Sequence, residues 1–144
     1  MQKFIGTKTV SAEPQTKDGK LGYTVVYADG YTSWSPAGVF EQAYLPVTVN
    51  TKLKTAAPSI SKSMVDDFIV SAEVQTMGDK CTVLRAVLRN GFEIVESSAC
   101  VSAENYDERL GAEICMEKVK DKVWLLLGFL LQSAVYGFGS ATKD

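Results

Sequence analysis

The stretch ESSACVSAENYDERLG, residues 96–111, gathers the groups in this chain best suited to chemistry: Cys100 among small residues, then Glu104, Asp107 and Glu108. Asp66 and Asp67 add a second acidic pair. Two carboxyl groups in unlike surroundings can divide acid and base duties, and a cysteine just ahead of a helix can be held as a thiolate. Against this, the chain contains no histidine. That removes the usual general base near neutral pH, the common zinc ligand and the usual partner of a serine or cysteine nucleophile. The acids all stand near expected helix starts, where a solvated face is their ordinary role. Cys81, Cys100 and Cys115 are odd in number and form no CxxC pair, which reads as reduced, mostly buried thiols. The expectation is a protein without catalytic residues, cofactor or metal.

Binding chemistry is better represented. Tyr23, Tyr27, Tyr31 and Trp34 fall within twelve residues, and aromatic side chains on a sheet can stack a nucleobase. Arg85 and Arg89 are expected on one face of a strand, about 13 Å apart at strand rise, and a guanidinium fork suits phosphate or carboxylate. Arg109 stands nearby in the chain. The glycine-rich GFGS at 137–140 lacks the strand–loop–helix setting of a phosphate loop. For each of these the ordinary alternatives are core packing for the aromatics and a solvated face for the arginines.

Something must position these groups. The 144 residues suffice for one ordinary domain or two small ones, and 46% hydrophobic content with 22% charge is that of a globular chain. A net charge of −2 without a basic stripe argues against binding a nucleic-acid polymer. The opening MQKFIGTKTV is too polar for a secretory leader, and the apolar run at 123–139, interrupted by Gln132, Ser133 and three glycines, reads as a buried or interface helix rather than a membrane span. The host bacterial cytoplasm is the expected compartment.

The expected fold class is α+β. Residues 1–48 read as a small antiparallel β module: partial alternation over 3–13, turn chemistry at 14–20, then 21–28 and 31–34 joined at Asp29-Gly30. Ser35 and Pro36 read as cap and first residue of a short helix. A short strand and a linker are expected within 46–60, with the boundary at 49–60. The second unit, 61–136, reads as helix–β-hairpin–long helix. Ser61 or Ser63 caps the first helix, which carries Met64, Phe68 and Ile69, or Val65, Phe68 and Ala72. Strands 80–90 and 91–101 meet at Asn90-Gly91, expected as a type I′ turn. Ser102 is the expected cap of the long helix, with Leu110, Ile114, Val119, Val123, Leu126 and Leu130 at helical period. Residues 137–144 are expected to be a flexible tail.

The ordered set TVLxxVLxNGF at 82–92, SACVS at 98–102, ENYDExLG at 104–111 and KVWxLxGFLL at 122–131 resembles a family of small bacteriophage proteins, the phage gene 49 / gene 66 family. The resemblance covers about residues 62–132. Glu96-Ser97 stand where members often carry Gly-Glu, and Leu125 and Leu127 where Pro and Glu are usual. The last helix is thereby more apolar, which favours a homo-oligomer or an interdomain contact. MQKFIGTK with GYTVVYADGYTSWSPAGVFEQAY resembles an N-terminal module of phage proteins, sometimes joined to domains like the anti-defence sponges that bind immune signalling nucleotides without turning them over. The resemblance carries over no catalytic residues. Taken with the absent histidine, the aromatic cluster and the arginines, it favours a phage-encoded, non-catalytic homo-oligomer that sequesters a small nucleotide signal; from the residue types, Tyr27, Tyr31 and Trp34 are expected to stack the base and Arg85, Arg89 and Arg109 to hold phosphate. A protein-binding inhibitor of a host enzyme is the alternative, and a nucleotide-cleaving enzyme a more distant one.

Overall fold

The computed structural model describes residues 1–139; residues 140–144, which hold the end of the expected tail and of the GFGS run, lie outside the described residues. The fold is α+β, with two three-stranded antiparallel sheets and, among the described residues, three α-helices of which the last is long. The chain divides into two compact units: residues 1–47 with the chain from Leu130 onward, and Thr48–Phe129.

In the first unit, β1 (Ser11–Pro14), β2 (Gly22–Val26) and β3 (Thr32–Pro36) form a meander followed by α1 (Ala37–Ala43). Asp18 and Gly19 take φ of 51° and 76°, while Lys17 and Lys20 exchange backbone bonds of 2.9 and 3.0 Å around them. This two-residue turn has the twist that antiparallel strands require. The β2–β3 loop holds three residues, 28–30, with Gly30 at φ 87° and Tyr27 N–H bonded to the Tyr31 carbonyl at 2.9 Å. Val25, 1% exposed, is the most buried side chain of the sheet. The rings of Tyr23, Phe40 and Tyr44 stack in sequence at 4.3 and 4.8 Å, fastening α1 to β2. Two expectations fail here. Regular strand begins only at Ser11, so most of 3–13 is outside the sheet. Ser35 does not cap α1: it stays paired opposite Tyr23, the ladder runs on to Gly22–Pro36, and Pro36 occupies the cap position with no side-chain bond.

Residues 46–60, most of them in the second unit, contain no strand; Thr48 Oγ1 meets Ser61 Oγ at 2.5 Å and Asn50 Nδ2 donates to the Ile60 carbonyl at 3.2 Å. Helix α2 (Lys62–Phe68) is capped by Ser61 as expected, its Oγ accepting from Met64 N–H at 3.3 Å. It buries Met64, Val65 and Phe68. The helix ends at Phe68, so Ile69 and Ala72 of the expected stripes lie outside it. Strand β4 (Ile69–Met77) takes over, and with β5 (Cys81–Leu88) and β6 (Glu93–Ala99) it makes a sheet of order β4-β5-β6. The expected helix–hairpin–helix is therefore helix–three-stranded sheet–helix. Val70, Ala72, Val74 and Thr76 alternate at period two as well as Val65, Phe68 and Ala72 keep a helical stripe, and pairing with β5 decides between them.

Along β5, Thr82, Leu84, Ala86 and Leu88 are buried while Arg85 is exposed, as the alternation requires. The β5–β6 turn also differs from expectation. It is a three-residue loop, 89–91, in which only Gly91 has positive φ (86°), with Leu88 N–H bonded to the Phe92 carbonyl at 2.8 Å. It repeats the β2–β3 turn instead of forming a type I′ pair.

Helix α3 (Glu108–Tyr136) follows a single 3₁₀ turn, Ala103–Asn105. Ser102 precedes that turn without a side-chain cap. The cap of α3 is Asp107, whose carboxylate accepts from Arg109 N–H at 2.9 Å and Leu110 N–H at 3.2 Å. The buried stripe is Cys115, Val119, Val123 and Leu127, each at most 1% exposed, a strict i, i+4 ridge. Leu110 and Ile114 are half exposed, and Leu125 is 72% exposed, so the helix is not buried on most sides within its own chain.

Candidate functional site

Two of the three carboxylates at 104–108, Asp107 and Glu108, have structural partners. Each hydroxyl carries one proton, so the chain of bonds has a direction. Thr76 donates to the Glu108 carboxylate, Tyr106 donates to Thr76 at 2.6 Å, and Thr82 donates to Tyr106 at 2.9 Å. Gly111 sits directly on Thr82, where an added Cβ would collide with the Thr82 side chain. Residues 102–111 thus form the joint between sheet and helix. Asp66 lies between Lys62 (2.6 Å) and Lys120 (3.4 Å). The Lys62 bond, with Lys120 behind it, lowers the Asp66 pKa from the ordinary carboxylate value. Lys120 adds to the effect of Lys62 from its longer distance on the other carboxylate oxygen. Burial pushes the Cys115 thiol up, and all three cysteines are free. Among the described residues no cluster of His, Cys, Asp or Glu could hold a metal ion, and no helix is long and apolar enough to cross a membrane.

The six expected ligand residues fall in both units, three in each. Tyr27 and Tyr31 stack at 5.8 Å, and Lys8 Nζ lies 4.5 Å from the Tyr27 ring. By register they share a face with Tyr23 and Val25, whereas Trp34 lies on the other face with Gly22 and Thr24. The Trp34 ring covers Gly22, where any Cβ would strike it, and its Nε1 donates to the Gln15 carbonyl at 2.9 Å. Arg85 is bonded across the sheet to Glu73 on β4 (3.3 Å) and to Glu93 on β6. Arg89 stands in the turn beyond β5, not on the strand face, and its N–H donates to the Phe68 carbonyl at 2.8 Å. Arg109 begins α3 at the opposite end of β5, about 23 Å away at strand rise.

The structure instead brings together residues that the motifs did not flag as a site. Phe92, Glu93, Ile94 and Val95 of the β6 side and Lys122, Leu125 and Leu126 of α3 line a shallow groove of about 360 Å³. Phe92 and Val95 are each 57% exposed. Lys122 is ion-paired to Glu96, and Glu93 to Arg85, so the rim carries no net charge. The one sequence signal for this groove is Leu125, a departure toward greater apolarity.

The model of the Phage protein (N4 Gp49/phage Sf6 gene 66) family matches residues 60–135, from just before the Ser61 cap to the last turn of α3. The chain belongs to this family. No curated protein and no solved structure matches it. Within the family segment, the ENYDExLG motif at 104–111 supplies the joint: Tyr106 and Glu108 bond the sheet, Asp107 caps α3 and Gly111 lets the helix close on Thr82.

Proposed function

We propose that this phage protein is a non-catalytic binder that acts by occupying a host protein, and that the contact surface is the groove between β6 and α3. The observation that carries this reading is the groove's lining, five apolar side chains with an internally neutralised rim. Such a surface offers burial of apolar area and little to a phosphate. An uncharged, apolar helix or strand of a partner fits it.

Sequestration of a small nucleotide is the second reading, supported by the Tyr27–Tyr31 stack with the Lys8 ammonium beside it. A planar base could extend that stack on the Tyr31 side, where the ring is 65% exposed. One comparison separates the two. The protein and its Leu125→Asp and Phe92→Asp variants are used to capture host proteins, and any captured protein is purified and titrated against all three. In parallel, native mass spectrometry is run with pooled cyclic dinucleotides and ADP-ribose derivatives. The groove reading expects direct binding that each substitution weakens tenfold or more, on the order of a hot-spot loss. Binding indifferent to both substitutions overturns it. An intact nucleotide retained by the wild type and lost in Tyr31→Ala establishes the second reading.

A further inference from the structure

We infer that β4 is the edge through which the protein pairs with a second copy of itself, joining two three-stranded sheets into one continuous antiparallel sheet. The inference concerns a surface separate from the β6–α3 groove and does not rest on what that groove binds.

The bond pattern identifies which backbone groups β4 leaves open. Leu88 N–H donates to the Phe92 carbonyl and Cys100 N–H to the Lys80 carbonyl, so the even-numbered residues of β5 turn their backbone groups toward β6. Arg89 N–H donates to the Phe68 carbonyl, so the odd-numbered ones turn toward β4. Their partners across the ladder are Ser71, Glu73, Gln75 and Met77. The N–H and C=O groups of Ala72, Val74 and Thr76 therefore point away from the sheet.

The two edges are treated differently. On β6 the same accounting turns the Ser97 carbonyl outward, and Lys118 of α3 takes it at 2.7 Å. A lysine laid on a strand edge is a familiar barrier to further pairing. Among the described residues, no lysine is bonded to the outer edge of β4 in this way. Across nine residues, IVSAEVQTM, the strand carries no lysine, arginine or proline, and its register irregularity is confined to Ile69–Ser71 at one end. Seven of the nine are exposed, including Val70 at 64% and Val74 at 37%. Its one charge, Glu73, is paired with Arg85. A long, regular, exposed apolar edge is a template for another strand.

The sequence of β4 also complements itself. An antiparallel pair with Val74 opposite Val74 of the second copy sets Ala72 opposite Thr76 and Glu73 opposite Gln75. All three outward-facing residues then pair, and Val74 meets Val74 on the face that carries Leu84 and Ala86. A one-residue slip would set the outward-facing groups of Val74 against an inward-facing residue and break the ladder, and a two-residue slip would set Glu73 directly against Glu73, about 4.5 Å apart, which is unfavourable.

The test combines native mass spectrometry with amide hydrogen exchange. The expected result is a dimer in which the amides of Ala72, Val74 and Thr76 exchange slowly, although no backbone bond among the described residues uses them. Val74→Pro removes an amide that the β4–β5 ladder does not need, and Val74→Lys places a guard on the edge. Either is expected to weaken the dimer by about 100-fold or more while the protection of β5 persists. Should Val74→Pro fold poorly, Val74→Lys decides. A chain that stays monomeric at all concentrations overturns the inference, as does a dimer in which those three amides exchange as freely as open strand amides.

Discussion

Gly111 packs α3 onto the sheet at a separation that leaves no room for a methyl group above Thr82. Alanine is the better helix former by about 1 kcal/mol, so on propensity alone Gly111→Ala should stabilise. The collision reaches the Thr82 Cβ as well as its hydroxyl, so the helix itself must shift. We expect a net loss of about 1–3 kcal/mol, the scale of overpacking, read as a lower urea midpoint with unchanged m-value. A rise in stability would mean the helix rides freely over Thr82. At this scale the sequence was only partly legible. Ser102 and Asp107 are both good cap residues, and local preference cannot choose between them. The choice falls to Asp107 because Tyr106 is drawn to Thr76 and Thr82, contacts 30 and 24 residues away along the chain.

Among the elements, α2 is tied to α3 by Asp66, held between Lys62 on its own helix and Lys120 on the other. Its pKa is lowered in the fold, so the native state binds the proton less readily than the unfolded chain does. The stabilisation is present above the unfolded carboxylate value, about 3.9, and is lost as the pH falls through the lower folded value. Asp66→Asn should therefore be less stable than wild type at neutral pH, and the two should approach each other below about pH 4. Parallel acid-unfolding curves would remove Asp66 from the account. Strands β2, β5 and β6, the Ser61 cap and the existence of a long last helix could be read from alternation, turn residues and period. Strand β4 could not, because Val65 to Thr76 satisfies both periods and only its partner β5 settles the matter. The stripe on α3 was shifted for a similar reason: the helix is apolar on several faces, and the sheet selects the Cys115–Leu127 ridge.

For the molecule as a whole, the expected ligand residues divide between the units. Tyr27, Tyr31 and Trp34 belong to the first, and Arg85, Arg89 and Arg109 to the second. Residue type suggested a shared site, but type carries no information about face. The pairing register turns Trp34 away from the two tyrosines, and Glu73 and Glu93 take Arg85. The groove escaped notice because its lining joins positions about thirty residues apart that carry no chemistry of their own.

Lys118 on the β6 edge has a consequence best put in the language of polymers. A protomer with one reactive end is a chain stopper, and two of them consume each other in a closed pair. A protomer with two reactive ends is a monomer for linear growth without limit. If β4 is one such end, the ammonium that holds the Ser97 carbonyl keeps the functionality at one. Lys118→Ala should raise it toward two, and light scattering should then follow particle mass upward with concentration past the dimer. A Lys118→Ala protein that stops at two copies would show that the second end is closed by something other than this lysine.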